Sequence, residues 1–280
     1  MKTSWRQYGV PVALLSAACV LVSLLLGWTA FARRINLNFY DLYFRQRGAV
    51  AAEEIARDGV VIVAIDDATL ARHGALPLNR KLLAGGIQRI AAAQPRLLAI
   101  DILLVDQAAE ADDAALEAAL TGVHPLVLSS ALEAGAGSGW LKPLTQFAGA
   151  AARVGHVHAD PDGDGVSRQV LLSKYAGRER YWAFALEALS ALRQPAPAGT
   201  PAITETPDSL ELPGAGETLT IPAPDTTQRT LWINYAGPDG TFPRVSCARL
   251  LEDAGAADAL RGKIVLLGVD RKSTRLNSSH

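Results

Sequence analysis

Cysteine and methionine are the scarcest residues in this 280-residue chain, which has two of the first and one of the second. Cys19 lies inside an apolar run near the N-terminus, so Cys247 is the only thiol left for the rest of the chain. One thiol makes no intramolecular disulfide, and no Cys-x-x-Cys spacing exists for zinc, so a disulfide scaffold is excluded. Charge of one sign is also missing: 27 basic and 28 acidic residues leave a formal net charge of -1. Without a basic stripe interleaved with aromatics, nothing points to nucleic acid or an acidic polymer as partner. The chain also lacks a Gly-x-Ser-x-Gly elbow, a Walker loop, a His-Glu-x-x-His pair and the kinase His-Arg-Asp set. Internal repeats are absent.

What the chain does have is apolar residues, 49% of the total against 20% charged, enough to bury a core. Val10 to Phe31 is a run of twenty-two residues without a charge. As one helix at about 1.5 Å per residue it would be roughly 33 Å long, close to the hydrocarbon thickness of a bilayer. Trp5 and Tyr8 precede it, Trp28 and Phe31 close it, and this suits aromatic belts at two interfaces. The run is longer than the apolar stretch of a signal peptide, although Ala30-Phe31-Ala32 is an acceptable cleavage site. The expectation is one transmembrane helix over residues 10–31. Basic residues are more numerous after it than before it, which taken alone places the large domain in the cytoplasm.

Beyond the apolar run, Ile35–Arg47 carries Leu37, Tyr40 and Phe44 at helical spacing. Val60–Ile65 is an apolar β-branched run typical of a strand buried on both faces, and Leu97–Ile102 and Pro125–Leu128 read similarly. Between them, Asn79 caps a helix over Arg80–Ala93, and Asp112 caps another over Ala114–Thr121. Asp67 is expected to cap the short turn ending at Gly74, and Gly85 and Gly86 are expected to bring their helix close to the sheet. Strand and helix in alternation predict an α/β fold: a mostly parallel sheet with helices on both faces, preceded by one transmembrane helix. Val154–Tyr175 reads as paired strands around the turn Asp160–Gly165, and Trp182–Leu192 as a helix. Gly135–Gly139 and Gln194–Pro201 read as loops, and Leu231–Ile233 and Ile264–Leu267 as further strands. Ser246 caps a helix over Cys247–Leu251.

Three sets of residues carry possible chemistry. Asp66 and Asp101 end two strands that a crossover would join, at the carboxyl edge where open α/β sheets bind ligands, and Arg80 starts the intervening helix. Their functional reading is a polar pocket for a small ligand or cation; their structural reading is loop capping and ion pairing. Asp160, Asp162 and Asp164 resemble the opening of a calcium loop, but the twelfth position is Leu171 rather than Glu, and Arg168 places a cation inside it. A polar β-turn explains the same residues. His156, His158 and Asp160 alternate as zinc ligands on one strand face would, without a further ligand.

The ordered set of motifs resembles a known family. It comprises Asp41-Leu42-x-Phe44-Arg45-x-Arg47, Val63-Ala64-Ile65-Asp66-Asp67, Gly74 with Pro77 and Arg80, and Ala99-Ile100-Asp101-Ile102. It continues with Gly155-His156, Asp162-Gly163-Asp164-Gly165-x-x-Arg168, Ile233-Asn234-Tyr235-x-Gly237-Pro238 and Gly262-Lys263-Ile264-Val265-Leu266-x-Gly268. From about Asn38 to Val269 the chain resembles the second type of CHASE domain, the extracellular sensory domain associated with bacterial cyclases, histidine kinases and Ser/Thr kinases. It departs from the family at Leu76 and Leu78, where aromatics usually flank the proline.

The resemblance implies a short cytoplasmic tail over residues 1–9, a transmembrane helix over 10–31 and an extracytoplasmic sensor domain over 32–269. It implies residence in the bacterial inner membrane, a homodimeric receptor, and a cyclase or kinase output module missing from this chain. Residues 270–280, ending Lys272–His280 (KSTRLNSSH), read as a foreign tail. The function expected is ligand sensing, of a small molecule or an envelope component, with no cofactor and no catalysis by this chain. The alternatives are a self-contained, membrane-anchored periplasmic enzyme or binding protein, and an envelope-structural domain.

Overall fold

The computed structural model describes residues 9–27, 30–74, 76, 78–133, 139–193, 203–214 and 217–270. The expected aromatic belt at Trp5, Tyr8 and Trp28, Pro77, most of the 135–139 loop, the 194–201 loop and the 271–280 tail lie outside these residues. The chain divides into two units, residues 1–50 with 235–238, and residues 51–234 with 239–280.

The first unit holds helices α1 (Val10–Gly27) and α2 (Ala30–Arg47). The uncharged run expected as one span is thus met as an 18-residue helix, residues 28–29 outside the described set, and a second helix beginning at Ala30. An 18-residue helix extends about 27 Å, short of the roughly 30 Å of bilayer hydrocarbon. Among the described residues no helix is long and apolar enough to cross a membrane. The C-terminal half of α2 is gripped by the tetrapeptide 235–238. Phe44 meets Tyr235 edge-on at 6.1 Å between ring centroids, and the Arg47 guanidinium lies 4.7 Å over the Phe44 ring. Arg47 also donates to the Tyr235 carbonyl, and the Val50 amide donates to the Ala236 carbonyl at 2.7 Å.

The second unit is α/β. In chain order it runs α3 (Ala52–Asp58), β1 (Val60–Ile65), α4 (Asp67–His73), α5 (Arg80–Ala92), β2 (Leu97–Asp101), α6 (Glu110–Thr121), β3 (Leu126–Leu132), β4 (Trp140–Leu141), α7 (Thr145–Ala150) and β5 (Arg153–His156). It continues with β6 (Gln169–Leu171), β7 (Ser173–Ala176), β8 (Glu179–Trp182), α8 (Phe184–Arg193), β9 (Thr204–Glu205), β10 (Ser209–Leu212), β11 (Leu219–Pro222) and β12 (Thr230–Trp232). It ends with β13 (Arg244–Ser246), α9 (Cys247–Glu252) and β14 (Ile264–Val269).

The main sheet follows the order β13-β1-β14-β2-β3, and β5 and the antiparallel β4 both join β3. Its other ladders are parallel. Alternate residues of the strands face two different cores. Val61, Val63, Ile65, Leu98, Ile100, Val265 and Leu267 pack with Leu83 and Ile87 of α5, Leu116 and Leu120 of α6 and Leu250 of α9. On the other face, Leu97, Ala99 and Val127 pack against Ala188 and Ala191 of α8. Helices therefore cover both faces of a mostly parallel sheet, as the alternation of elements predicts.

Four local expectations need correction. The capping residue of α4 is Asp66 rather than Asp67, because its Oδ1 accepts the Thr69 amide at 2.9 Å. Helix α6 begins at Glu110, ahead of Asp112, and its N-cap Ala109 makes no side-chain bond. Gly85 and Gly86 approach α9 and not the sheet: a Cβ there would lie 3.5 Å from Leu251 and 3.6 Å from Cys247. The strands flanking Asp160–Gly165 do not pair with each other; β5 joins β3 in parallel, and β6 pairs with β12. Asn79 caps α5 as expected, accepting the Lys81 amide at 2.8 Å.

Between these two flanks, β5 runs directly under the start of α8. A Cβ on Gly155 would lie 2.6 Å from Phe184 Cα and 2.9 Å from its backbone nitrogen. Backbone cannot yield as a flexible side chain does, so Gly155→Ala is expected to destabilise the unit by about 1–3 kcal/mol. Urea unfolding of the variant beside wild type measures this, and an unchanged midpoint contradicts the close approach.

Candidate functional site

Parallel strands place their carboxyl ends on one edge, and this is where Asp66 and Asp101 lie. Asp66 is engaged in the fold. Its Oδ1 accepts the Thr69 amide, the Thr69 hydroxyl at 2.7 Å and the Ser246 hydroxyl at 2.9 Å. The Thr69 hydroxyl oxygen in turn accepts the Ala248 amide at 3.1 Å, so one carboxylate ties β1 and α4 to the β13–α9 corner. Burial alone raises the Asp66 pKa, but the hydrogen bonds from Thr69 and Ser246 outweigh it and hold the carboxyl below its ordinary value.

Asp101 ends β2 directly across from Gly268 of β14 and stays exposed. It lines a groove of about 470 Å³ on the α8 side of the sheet, with Phe184, Arg244 and Asp270. Arg244 pairs with Asp239 at 2.6 Å and with Asp270 at 3.6 Å. Arg80 lies on the other side, at the mouth of a cavity of about 600 Å³ lined by Ile65, Leu76, Leu78, Ile102 and Val269. Its guanidinium donates to the Asp106 carbonyl, reaches Asp113 at 3.3 Å and lies 5.3 Å from the Phe147 ring. The structure thus brings Asp66, Arg80 and Asp101 to one edge but not into one cavity. The physical reason is β14, which inserts between β1 and β2 and separates the two strand ends.

The acidic turn is organised by a cation of its own. Arg168 is 2% exposed; its Nη1 donates to Asp162 at 2.8 Å and to Asp164 at 3.0 Å, and its Nη2 donates to Asp164 at 2.7 Å. Arg168 holds the Asp164 carboxyl down to about pKa 2. Asp160 belongs to a separate group, with Lys174 at 2.9 Å and His158 at 2.8 Å. Among the described residues no cluster of three or more His, Cys, Asp or Glu is arranged to hold a metal ion. His156 does not join His158: it is buried, its ring 6.1 Å from that of Trp140. Cys247 is also buried, and burial followed by the charge of Asp66 pushes its thiol up to about 11, which makes it inert.

Sequence reasoning missed a charged network in the β-rich part of the unit. Glu205 lies between two guanidiniums, 2.6 Å from Arg180 Nη1 and 3.2 Å from Arg229 Nε. Arg229 is buried and also donates to the carbonyls of Ala223 at 2.7 Å and Thr206 at 2.8 Å. These residues border a cavity of about 500 Å³ that also takes in Lys174, Tyr175, Asp225 and Gln228. They are spread over more than fifty positions with no repeating spacing, so no motif announces them.

Two buried groups near the α8–β5 contact titrate in opposite senses. Burial pushes Glu187 up to about 7 despite the opposing charge of Arg153, 3.7 Å away. Burial, then the charges of His158 and Lys174, pushes His156 down to about 4. A raised carboxyl stabilises the fold below its unfolded value of 4.5 and loses that contribution as pH rises through 7. A depressed histidine stabilises the fold above its unfolded value of 6.5 and loses that contribution as pH falls through 4. Each full shift corresponds to on the order of 3 kcal/mol. Between pH 4.5 and 6.5 the two slopes oppose each other. Relative to wild type, Glu187→Gln is therefore expected to gain stability with rising pH across this window, and His156→Gln to lose it. Urea unfolding at both ends of the window tests this, and difference curves that are flat for both variants contradict it.

The signature of the CHASE2 domain matches residues 16–277, nearly the whole chain. No curated protein and no solved structure matches. With its motifs distributed along the length of the α/β unit and the helix before it, the chain belongs to the CHASE2 domain family, a family of extracellular sensory domains.

Proposed function

We propose that the chain is the extracytoplasmic ligand-sensing part of a bacterial transmembrane signalling receptor, anchored by the uncharged segment Val10–Phe31 and serving a cyclase or kinase module carried elsewhere in the full-length protein. The observation that carries this reading is the exposure of α1. Leu14, Leu15, Val20, Leu21 and Leu24 are each 58–67% exposed, so among the described residues of its own unit this apolar helix has no core to bury it. Lipid is the solvent that removes the cost of such a surface. The family's extracellular sensory role supports placing residues 32–269 outside the cytoplasm.

The receptor is a homodimer in this reading. Ile35, Phe39 and Leu42 of α2 are exposed at a four-then-three spacing, the seam of a two-helix coiled coil. Phe44 and Arg47, which grip residues 235–238, lie outside that stripe. Ligand enters at the carboxyl edge of the sheet, in the largely apolar cavity that Arg80 borders, with Asp101 on the neighbouring groove and Asp66 fixing the α4 corner. A ligand that favours one arrangement of this edge shifts the receptor between two states by its difference in affinity for them.

Expression in a bacterium with alkaline phosphatase fused after residue 269 tests the placement. An active fusion, and digestion of residues 32–269 by protease added to intact spheroplasts, is the expected result. A cytosolic, protease-protected chain ends the receptor reading. In the full-length protein, Arg80→Gln and Asp101→Asn are expected to alter signal output while the far-ultraviolet circular dichroism stays at its wild-type level. Variants that fold and signal as wild type remove the edge as the ligand site.

A further inference from the structure

The β-rich part of the second unit holds a second cavity, away from the Arg80 edge, and its lining has an uncommon division of charge. Lys174, Arg180 and Arg229 face Asp160, Glu205 and Asp225, so the two signs balance. Most of these groups satisfy one another: Lys174 takes both oxygens of Asp160, and Glu205 is shared by the two arginines. Two functions remain. Both bonds of Arg180, to Glu205 and to the Tyr175 hydroxyl, leave from Nη1. Its Nε–Nη2 edge, the fork that matches a carboxylate with two parallel bonds, is unused among the described residues. The Trp182 ring, 4.2 Å from the guanidinium, fixes the plane of that fork. On another wall, Asp225 presents an exposed carboxylate that has no ion pair among the described residues.

The backbone of the lining is also held in an unusual state. Gln228 and Arg229 are consecutive non-glycine residues with φ of 57° and 51°. Left-handed backbone costs about 1–3 kcal/mol per residue and persists where surrounding bonds over-determine it. Here the Arg229 bonds to Glu205, Ala223 and Thr206 do so.

We propose that this cavity binds a small zwitterionic solute, an α-amino acid or short peptide, with its carboxylate on the Arg180 fork and its ammonium on Asp225. A ligand of one sign alone meets repulsion from half of the lining, whereas a zwitterion answers both unused groups. Binding bears on the receptor through the chain itself. Arg229 passes directly into β12, whose Ile233 neighbour donates to the Arg168 carbonyl at 2.9 Å, and the strand leads to residues 235–238, which hold α2. Five residues, 230–234, separate the cavity wall from that grip.

Calorimetry on the whole chain in detergent tests the site, with tri-L-alanine as probe beside its N-acetyl and C-amide forms. The expected result is saturable binding of the unmodified tripeptide and at least tenfold weaker binding of each capped form, since about 1.4 kcal/mol per lost charge contact suffices. Asp225→Asn and Arg180→Gln are each expected to weaken binding at least tenfold, and Arg249→Gln, at an exposed position of α9, to leave it unchanged. Tyr175→Ala carries the test if Arg180→Gln does not fold. Amide exchange across 230–238 is expected to slow at least fivefold when the tripeptide is bound. Absence of saturable binding, equal affinity for the capped forms, or retained affinity in the Asp225 variant overturns the site; unchanged exchange across 230–238 overturns the coupling. A chain that binds the tripeptide yet resides in the cytosol leaves this site standing and removes only the receptor placement.

Discussion

The second unit depends on one pairing: the insertion of β14 between β1 and β2. All six residues of β14 pair with β1 on one side, and five pair with β2 on the other. Val265 and Leu267 are buried in the core beneath α5 and α9, while Ile264 and Leu266 turn toward α8. Removing this strand would leave two hydrogen-bonding edges in the middle of the sheet and open both cores, a far larger cost than loss of an edge strand. It also fixes the chemistry of the carboxyl edge. With β14 in place, Asp101 looks across at Gly268 and belongs to the α8 side, while Arg80 serves the cavity on the α5 side.

The same constraint explains what was legible in the sequence. Val60–Ile65, Leu97–Asp101 and Ile264–Val269 are apolar runs with the signature of strands buried on both faces, and each was readable as such. Their neighbours were not. Which strands adjoin is decided by contacts some 200 positions apart, and local pattern says nothing about an insertion from the far end of the chain. Asn79 was readable as a cap because its side chain meets the backbone two residues on; Asp66 was missed by one position because two adjacent aspartates satisfy the same rule. The short strands β9–β11 lie in a proline-rich, polar stretch where alternation is too brief to stand out.

Site residues divided in the same way. The placement of Asp66, Arg80 and Asp101 on one edge followed from the parallel sheet, but their distribution among a cap, a cavity and a groove did not. The Arg180–Glu205–Arg229 network required the tertiary fold, because its members come from two strands and a turn with no common spacing. Gly155 shows the opposite case. It stood in the motif that suggested the family, and the physical reason for a glycine there, the Phe184 backbone lying against it, became visible only in three dimensions.

The acidic turn at 160–168 carries a cation of its own, Arg168. Two carboxylates that suggested a divalent cation share one guanidinium, supplied four residues downstream of Asp164 and six downstream of Asp162. A tethered counter-ion has a local concentration that the surroundings cannot change. A turn built in this way carries its Arg168–Asp164 pair wherever the chain goes, and loses that pair only in acid strong enough to protonate Asp164, whose carboxyl Arg168 holds low.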